Sequence, residues 1–233
     1  LLALKRSAAS FNGEVTLTAV ADEETGSRAG TLALLEYGLD ADFAIVGEPT
    51  CCEVCIGNRG GRHIEIKVKG KSSHASRPFL GRNAAVDAAR VVLALENLDL
   101  GAKEDPRFEI KKPTAAVTML QGGIKENVIP SECVIVVDRR LIPGETSDLA
   151  LSQVQALLAT LKTQYGIDAT ASVRPGGWDP YVISPEEEIA QAIVASAQKV
   201  TGKKLVPYGK AGCTDASALY NCRQIPTVIG GPG

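Results

Sequence analysis

No apolar run in the sequence approaches the roughly 20 residues needed to cross a bilayer, and Leu1-Leu2-Ala3-Leu4-Lys5-Arg6 carries no cleavable signal pattern. The expectation is a soluble, cytoplasmic protein with no membrane partner. There is no excess of basic charge either. Lys and Arg number 25 against 27 Asp and Glu, the formal charge is -2, and the two signs are interspersed. That leaves no broad positive field for a phosphate backbone, so nucleic acid is excluded as a partner. Cys52-Glu53-Val54-Cys55 has no second Cys-x-x-Cys to complete a zinc ribbon. The six cysteines, at 51, 52, 55, 133, 213 and 222, are expected as reduced thiols. Around the first three the plain expectation is a β-strand, with Cys51, Glu53 and Cys55 on one face and Cys52 and Val54 on the other. Internal repeats and low-complexity tracts are absent.

What is present is a chain of 233 residues with 45% hydrophobic content, enough for one large domain or two smaller ones. The opening third reads as α/β: a buried strand over Glu14 to Val20, a helix over Gly26 to Tyr37, and a second strand over Asp42 to Val46 that ends at Gly47-Glu48-Pro49-Thr50. From about Gly60 the pattern changes. Strands are expected at Arg62 to Val68, Ala115 to Leu120, Cys133 to Arg139 and Ala169 to Val173, with helices at Asn83 to Leu98 and Ser147 to Tyr165. The order β-α-β-β-α-β is that of the ferredoxin-like split βαβ unit. Gly57 to Gly61 and Arg174 to Trp178, rich in Gly and Pro, are the expected hinges. The α/β pattern then resumes with a helix over Glu186 to Val200, a strand at Leu205 to Val206, a helix near Asp215 to Tyr220 and a strand at Thr227 to Ile229. The domain division is therefore 1–57 with 175–233, interrupted by 58–174. Leu1 opens inside an apolar stretch with no cap before it, and Gly233 stops in a Gly-Gly-Pro-Gly turn, so flanking segments are expected in the whole protein.

Loops at the carboxyl ends of strands are where open α/β sheets place their ligands, which directs attention to Asp22-Glu23-Glu24 and Glu48. Three acids in a row before a helix also suit its N-terminal dipole, so capping competes with chemistry there. Neighbouring residues at a strand end point in different directions, so one glutamate can hold a metal while the next addresses substrate or water. Glu48 precedes Pro49, which holds it extended, away from helical geometry; a simple turn acid would look the same. Of the only two histidines, His63 lies within a strand and reads as structural. His74 lies in the polar loop Gly70 to Pro78 and is the better catalytic candidate. Gln121 to Pro130, with Asn127, joins two strands and also reads as a flexible hairpin loop. In Asp138-Arg139-Arg140, alternation puts Asp138 and Arg140 on one side and Arg139 on the other.

In their order and spacing these stretches resemble the metallo-aminoacylase and carboxypeptidase family that includes acetylornithine deacetylase, succinyl-diaminopimelate desuccinylase, aminoacylase and glutamate carboxypeptidase. The matching pieces are Asp22 to Gly26, Gly47 to Thr50, Gly70 to Pro78 with Gly81-x-Asn83-Ala84, Gly122-Gly123 to Asn127-Val128-Ile129-Pro130, Asp138-x-Arg140 with Pro143-Gly144-Glu145, Thr214-Asp215 and Gly231-Pro232-Gly233. The resemblance implies a zinc-peptidase-like α/β catalytic domain, incomplete here, interrupted by a ferredoxin-like lid and dimerisation domain. It implies hydrolysis of the amide bond of N-acyl amino acids or peptides next to a carboxylate. Glu23 would be the general base. Glu24 and Glu48 would be ligands of two divalent metal ions, zinc by preference with cobalt or manganese as alternatives, and water activated there would be the nucleophile. His74 would reach across a homodimer interface to stabilise the oxyanion, Asn127 would assist substrate binding, and Arg140 would fork onto the substrate carboxylate. Members of the family carry a His-x-Asp motif upstream and a further histidine downstream of the stretch present here. With Glu24 and Glu48 alone, the chain as given is expected to bind metal weakly or not at all.

A different class of function remains open at this stage: a dimerisation or amino-acid-binding module that has lost its metal site. Glu23-Glu24, Glu48 and Arg140 are unnecessary to such a module, and their joint presence favours the enzyme.

Overall fold

The computed structural model describes residues 2–7 and 10–233. In chain order the elements are α1 (Leu2–Ser7), α2 (Thr31–Glu36), β1 (Ala44–Val46), β2 (Cys55–Asn58), β3 (Gly60–Lys69), β4 (Ser73–His74), α3 (Ala84–Leu95), β5 (Thr114–Gly122), β6 (Val128–Ile129), β7 (Glu132–Leu141), α4 (Ser147–Tyr165), β8 (Asp168–Val173), β9 (Tyr181–Val182), α5 (Glu188–Thr201), β10 (Tyr208–Lys210), α6 (Ala216–Arg223) and β11 (Thr227–Ile229). Short 3-10 turns occupy Glu23–Thr25 and Pro78–Leu80. Leu1, the start of the expected opening helix, lies outside the described residues.

The middle of the chain forms the expected β-α-β-β-α-β unit. Its sheet runs β5-β7-β3-β8 with every neighbouring pair antiparallel, so the first and third strands are central, as the split βαβ pattern requires. Period-two alternation puts Ile64, Ile66 and Val68 of β3 and Cys133, Ile135 and Val137 of β7 on the face that carries both helices. On α3, Ala84, Ala88, Val91 and Leu95 fall on one stripe, and on α4 Ala150, Val154, Leu158 and Leu161 do the same. Each large side chain buried here contributes about 1.5–3 kcal/mol. The helix ends are set locally. Thr146 accepts from Leu149 N at 3.2 Å to start α4, and Gly166, at φ 66°, ends it. Asn83 starts α3 by accepting from Ala85 N and Val86 N. Asn83→Ala is expected to cost about 1 kcal/mol, read as a lowered urea midpoint at unchanged slope; an unchanged midpoint would remove the cap from this account.

The flanking segments form a second sheet, β1-β11-β2-β10, with β9 also paired to β2. Its cores are separate from that of the first sheet. Cys55, Ile56, Tyr181, Ala216 and Val228 make one cluster, and Leu35, Ala218, Leu219 and Ile225 another.

Several local expectations are corrected. Glu14 to Val20 is exposed and unpaired: its residues have strand composition, but among the described residues no neighbouring strand offers it hydrogen bonds. The helix expected from Gly26 begins only at Thr31, because Gly26 and Ser27 both take positive φ. Cys51 and Cys52 form a turn at φ 53° and 63°, with Cys52 N donating to Gly231 O at 2.8 Å, so the strand starts at Cys55. All six cysteines are free thiols, as expected. The strand expected at Leu205 to Val206 lies after Pro207 instead, where parallel pairing to β2 fixes Tyr208 opposite Cys55. The expected hinges are ladders. Gly61 pairs with Trp178 through two backbone hydrogen bonds, and Gly57 lies within β2 against Tyr181 and Val182.

A strap reinforces this junction. Phe108, in the loop between α3 and β5, is buried against Gly209, with Gly209 N donating to Arg107 O and Glu109 N to Gly209 O. A Cβ at 209 would lie 2.5 Å from the Phe108 ring, so only glycine permits that approach. Arg59, also buried, donates to Lys112 O and Thr114 Oγ1 at 3.0 Å each and ties β2 to the start of β5.

Candidate active site

Asp22-Glu23-Glu24 folds as a tight 3-10 turn rather than as the start of a long helix. Asp22, at φ 72°, turns its carboxylate inward, accepting from Ala29 N at 2.9 Å and from the Thr25 hydroxyl. None of the three acids caps a helix through its side chain: Asp22 instead ties the turn to the segment that leads into α2. Glu23 is left half-buried and Glu24 exposed. Burial raises the pKa of Glu23 most, and the charges of Glu48, Asp215 and Glu24 raise it further; Lys210 opposes them. Glu48, Asp215 and Glu24 thus all lie within electrostatic reach of Glu23.

Two of these neighbours were given no role from the sequence: Asp215, noted only within the matching piece Thr214-Asp215, and Lys210, which was not singled out. Asp215 is buried at the start of α6 and accepts the hydroxyl of Ser27, also buried, across 188 residues of chain. Lys210, the last residue of β10, sets Nζ 3.3 Å from Oε2 of Glu48. A strand placed correctly at 208–210 would have pointed to Lys210, since it ends a parallel strand. Beneath them Asn58, fully buried, donates to Ser217 Oγ at 2.7 Å and accepts from Thr214 Oγ1 at 3.0 Å. This network fixes the segment that leads into Asp215.

His74 and Asn127 come together elsewhere, on the small β4–β6 ladder. His74 is opposite Val128, and Ala75 N donates to Asn127 O at 2.9 Å. The His74 ring is exposed, with Nδ1 2.7 Å from Ser76 Oγ. Asn127 Oδ1 is buried and has no hydrogen-bond partner among the described residues, which leaves an acceptor awaiting a donor. A cavity of about 240 Å³ opens on the same ladder, lined by Ser72, Gly123, Ile129 and Glu132 among others; none of Glu23, Glu24, Glu48 or Arg140 lines it. Among the described residues, no hydrogen bond or ion pair joins the histidine group to the carboxylates.

Arg140 sits at the junction of the two sheets. Gly61, its partner across the ladder, leaves room for the guanidinium: a Cβ there would lie 3.0 Å from Nη1. Asp138 takes the fork, accepting from Nε at 2.7 Å and from Nη2 at 3.0 Å, and His63 lies 3.3 Å from the same carboxylate. Arg139 points the other way, fully buried against Glu145, as alternation requires. Next to Arg140 lies Cys213, whose thiol is pushed up chiefly by burial.

The donor set is of hard carboxylate oxygens crowded by like charge, which suits a divalent cation. It does not complete a coordination shell. Among the described residues, no three His, Cys, Asp or Glu side chains gather closely enough to hold a metal ion. No helix among the described residues is long and apolar enough to cross a membrane.

Comparison with known proteins agrees with this architecture. Residues 56–166 match the family model of the M20 peptidase dimerisation domain. A succinyl-diaminopimelate desuccinylase from Dinoroseobacter shibae is 29% identical over 215 residues, covering 88% of this chain and 55% of its own length. An acetylornithine deacetylase from Myxococcus xanthus is 38% identical over 161 residues, covering 67% of this chain and 40% of its own. Among solved structures, an aminopeptidase from Bacillus cereus superposes with a TM-score of 0.73 at 20% identity, over 92% of this chain and 55% of that one. An M20 family metallo-carboxypeptidase from Sulfolobus solfataricus gives a TM-score of 0.65 at 19% identity, over 90% and 60%. The chain spans about half the length of the curated relatives it matches. Residues 56–166 therefore belong to the M20 peptidase dimerisation family, and the chain is similar along most of its length to succinyl-diaminopimelate desuccinylases and M20 metallopeptidases.

Proposed function

We propose that the protein hydrolyses the amide bond of N-acyl amino acids or peptides adjacent to a carboxylate, in the cytoplasm, as a homodimer joined through residues 58–174. Residues 1–57 and 175–233 belong to the hydrolase domain. The observation that carries this reading is Glu23, half-buried and held toward its protonated form by burial and by Glu48, Asp215 and Glu24. A carboxyl whose proton affinity is raised toward neutrality is matched to taking a proton from water and returning it to a leaving amine.

Glu24 and Glu48 would hold two divalent ions, zinc, cobalt or manganese, together with ligands from outside this stretch. Bound there, the ions would polarise the scissile carbonyl and ease the loss of a proton from water. The rest falls to side chains. Glu23 moves the proton. Arg140 takes the substrate carboxylate, through Nη1 or by exchanging Asp138 for it. Asn127 supplies its unpartnered carbonyl to a substrate N–H, and His74, exposed on the lid, meets the developing oxyanion of the partner subunit's site.

The experiment is metal removal from the full-length protein. Dialysis against a chelator should abolish hydrolysis of a panel of N-acetyl and N-succinyl amino acids and dipeptides, and Zn²⁺, Co²⁺ or Mn²⁺ should restore it at about two ions per subunit. Full activity after chelation, or no activity on any member of the panel with metal present, would overturn the reading in favour of a binding or dimerisation module.

A further inference from the structure

The carboxylates at the end of the second sheet come with a cation of their own. Lys210 Nζ lies 3.3 Å from Glu48 Oε2, and the two side chains are only 22% and 20% exposed. Lys210 also opposes the three acids that raise the Glu23 pKa. The fold, rather than a loose side chain, delivers this charge. Strand β10 is held in parallel register on β2, with Lys210 opposite Asn58. Arg59 N donates to Lys210 O at 3.0 Å, and the Phe108 strap pins the neighbouring Gly209.

From this geometry we propose that Lys210 is a resident counter-cation for Glu48: it occupies the carboxylate in the empty site, and a divalent ion must displace it to bind. The inference rests on the reading of Glu48 as a metal ligand. Two cations cannot share one half-buried carboxylate without repulsion, and the medium there screens less than water does. Lys210 therefore stabilises the empty site and weakens the filled one. Metal affinity is lowered to a level at which the ion exchanges, and the acidic cluster does not fly apart when the ion leaves. Lys210 acts here as a positioning residue, through Glu48 rather than on substrate.

The test is a Co²⁺ titration of the metal-free, full-length protein against a chromophoric chelator. Lys210→Met should bind Co²⁺ on the order of tenfold or more tighter than the parent, and its metal-free form should melt lower. Lys210→Arg, which keeps the charge, should stay within about twofold of the parent. In a Glu48→Gln background the Lys210→Met change should lose its effect. Lys210→Gln serves as a second neutral variant should Lys210→Met fail to fold. Equal or weaker Co²⁺ binding by a folded, neutral variant overturns this inference and leaves the hydrolase reading intact. Absence of Co²⁺ binding in every protein, the parent included, overturns the metal-ligand role of Glu48 and this inference with it.

Discussion

Glu23→Ala in the full-length protein should lower kcat by about 10²–10⁴-fold while leaving the metal content unchanged, which is the range expected for removing a positioned general base. The structure separates this residue from its neighbours. Asp22 is bound into its own turn, Asp215 is tied to Ser27, and Glu48 is paired with Lys210. Among the described residues Glu23 makes no such side-chain hydrogen bond or ion pair, it is half-buried where Glu24 is exposed, and its proton affinity is raised.

The sign of that shift gives a second readout. A raised folded-state pKa means Glu23 favours folding below its unfolded value, near 4.5, and loses that contribution as pH rises through the raised value. At neutral pH its charge therefore opposes the metal-free fold. Glu23→Gln should melt at or above the temperature of the parent in the absence of metal while losing activity, a separation of stability from catalysis. Scanning calorimetry beside a rate assay checks it. A Glu23→Gln protein that is both inactive and clearly less stable would mark the residue as structural.

How much of this could be read from the sequence varied with the kind of interaction involved. Helix α4 was legible at both ends because Thr146 and Gly166 are local signals. Strand β3 was legible because Ile64, Ile66 and Val68 alternate with His63, Glu65 and Lys67, and β7 because the run Cys133 to Val137 is apolar and rich in β-branched residues. Glu14 to Val20 misled because alternation and β-branched content describe a surface, whereas a strand needs a partner on the hydrogen-bonding edge. Among the site residues, Glu48 could be located by its place just after β1 and Arg140 by alternation, whereas the strand that directed attention to Glu23 and Glu24 does not form. The partners of those groups could not be found in this way. Ser27 and Asp215 are 188 residues apart, and Glu48 and Lys210 are 162 apart; neither pair leaves a trace in any local pattern. Arg140 illustrates the limit from the other side. Alternation placed it on the correct face, but only the structure shows its fork held by Asp138, with His63 behind. The histidine read as structural is thereby linked to the arginine read as functional.

The turn Pro143-Gly144-Glu145 is where the fold and the site depend on each other most. Arg139 Nη2 lies 2.7 Å from Glu145 Oε1, with the side chains 0% and 3% exposed, and Oε2 of the same glutamate accepts Ile142 N at 3.0 Å. Removing the acid strands a guanidinium whose Nε already lacks a partner, and leaves a buried N–H without an acceptor. Glu145→Ala should therefore cost about 3–5 kcal/mol in urea denaturation, the range for an uncompensated buried charge. Gln153 and the Arg140 carbonyl, the remaining acceptors of Arg139, are uncharged and cannot replace the carboxylate. Arg139→Met combined with Glu145→Leu should recover most of the loss, because well-packed apolar side chains can replace a buried pair at little net cost. If the single change costs under about 1 kcal/mol, the pair is not the stabilising contact the geometry indicates. Because Arg139 precedes Arg140 on β7, a displaced Arg139 also shifts the guanidinium proposed to hold the substrate carboxylate. In the surviving folded fraction, KM should rise more than kcat falls.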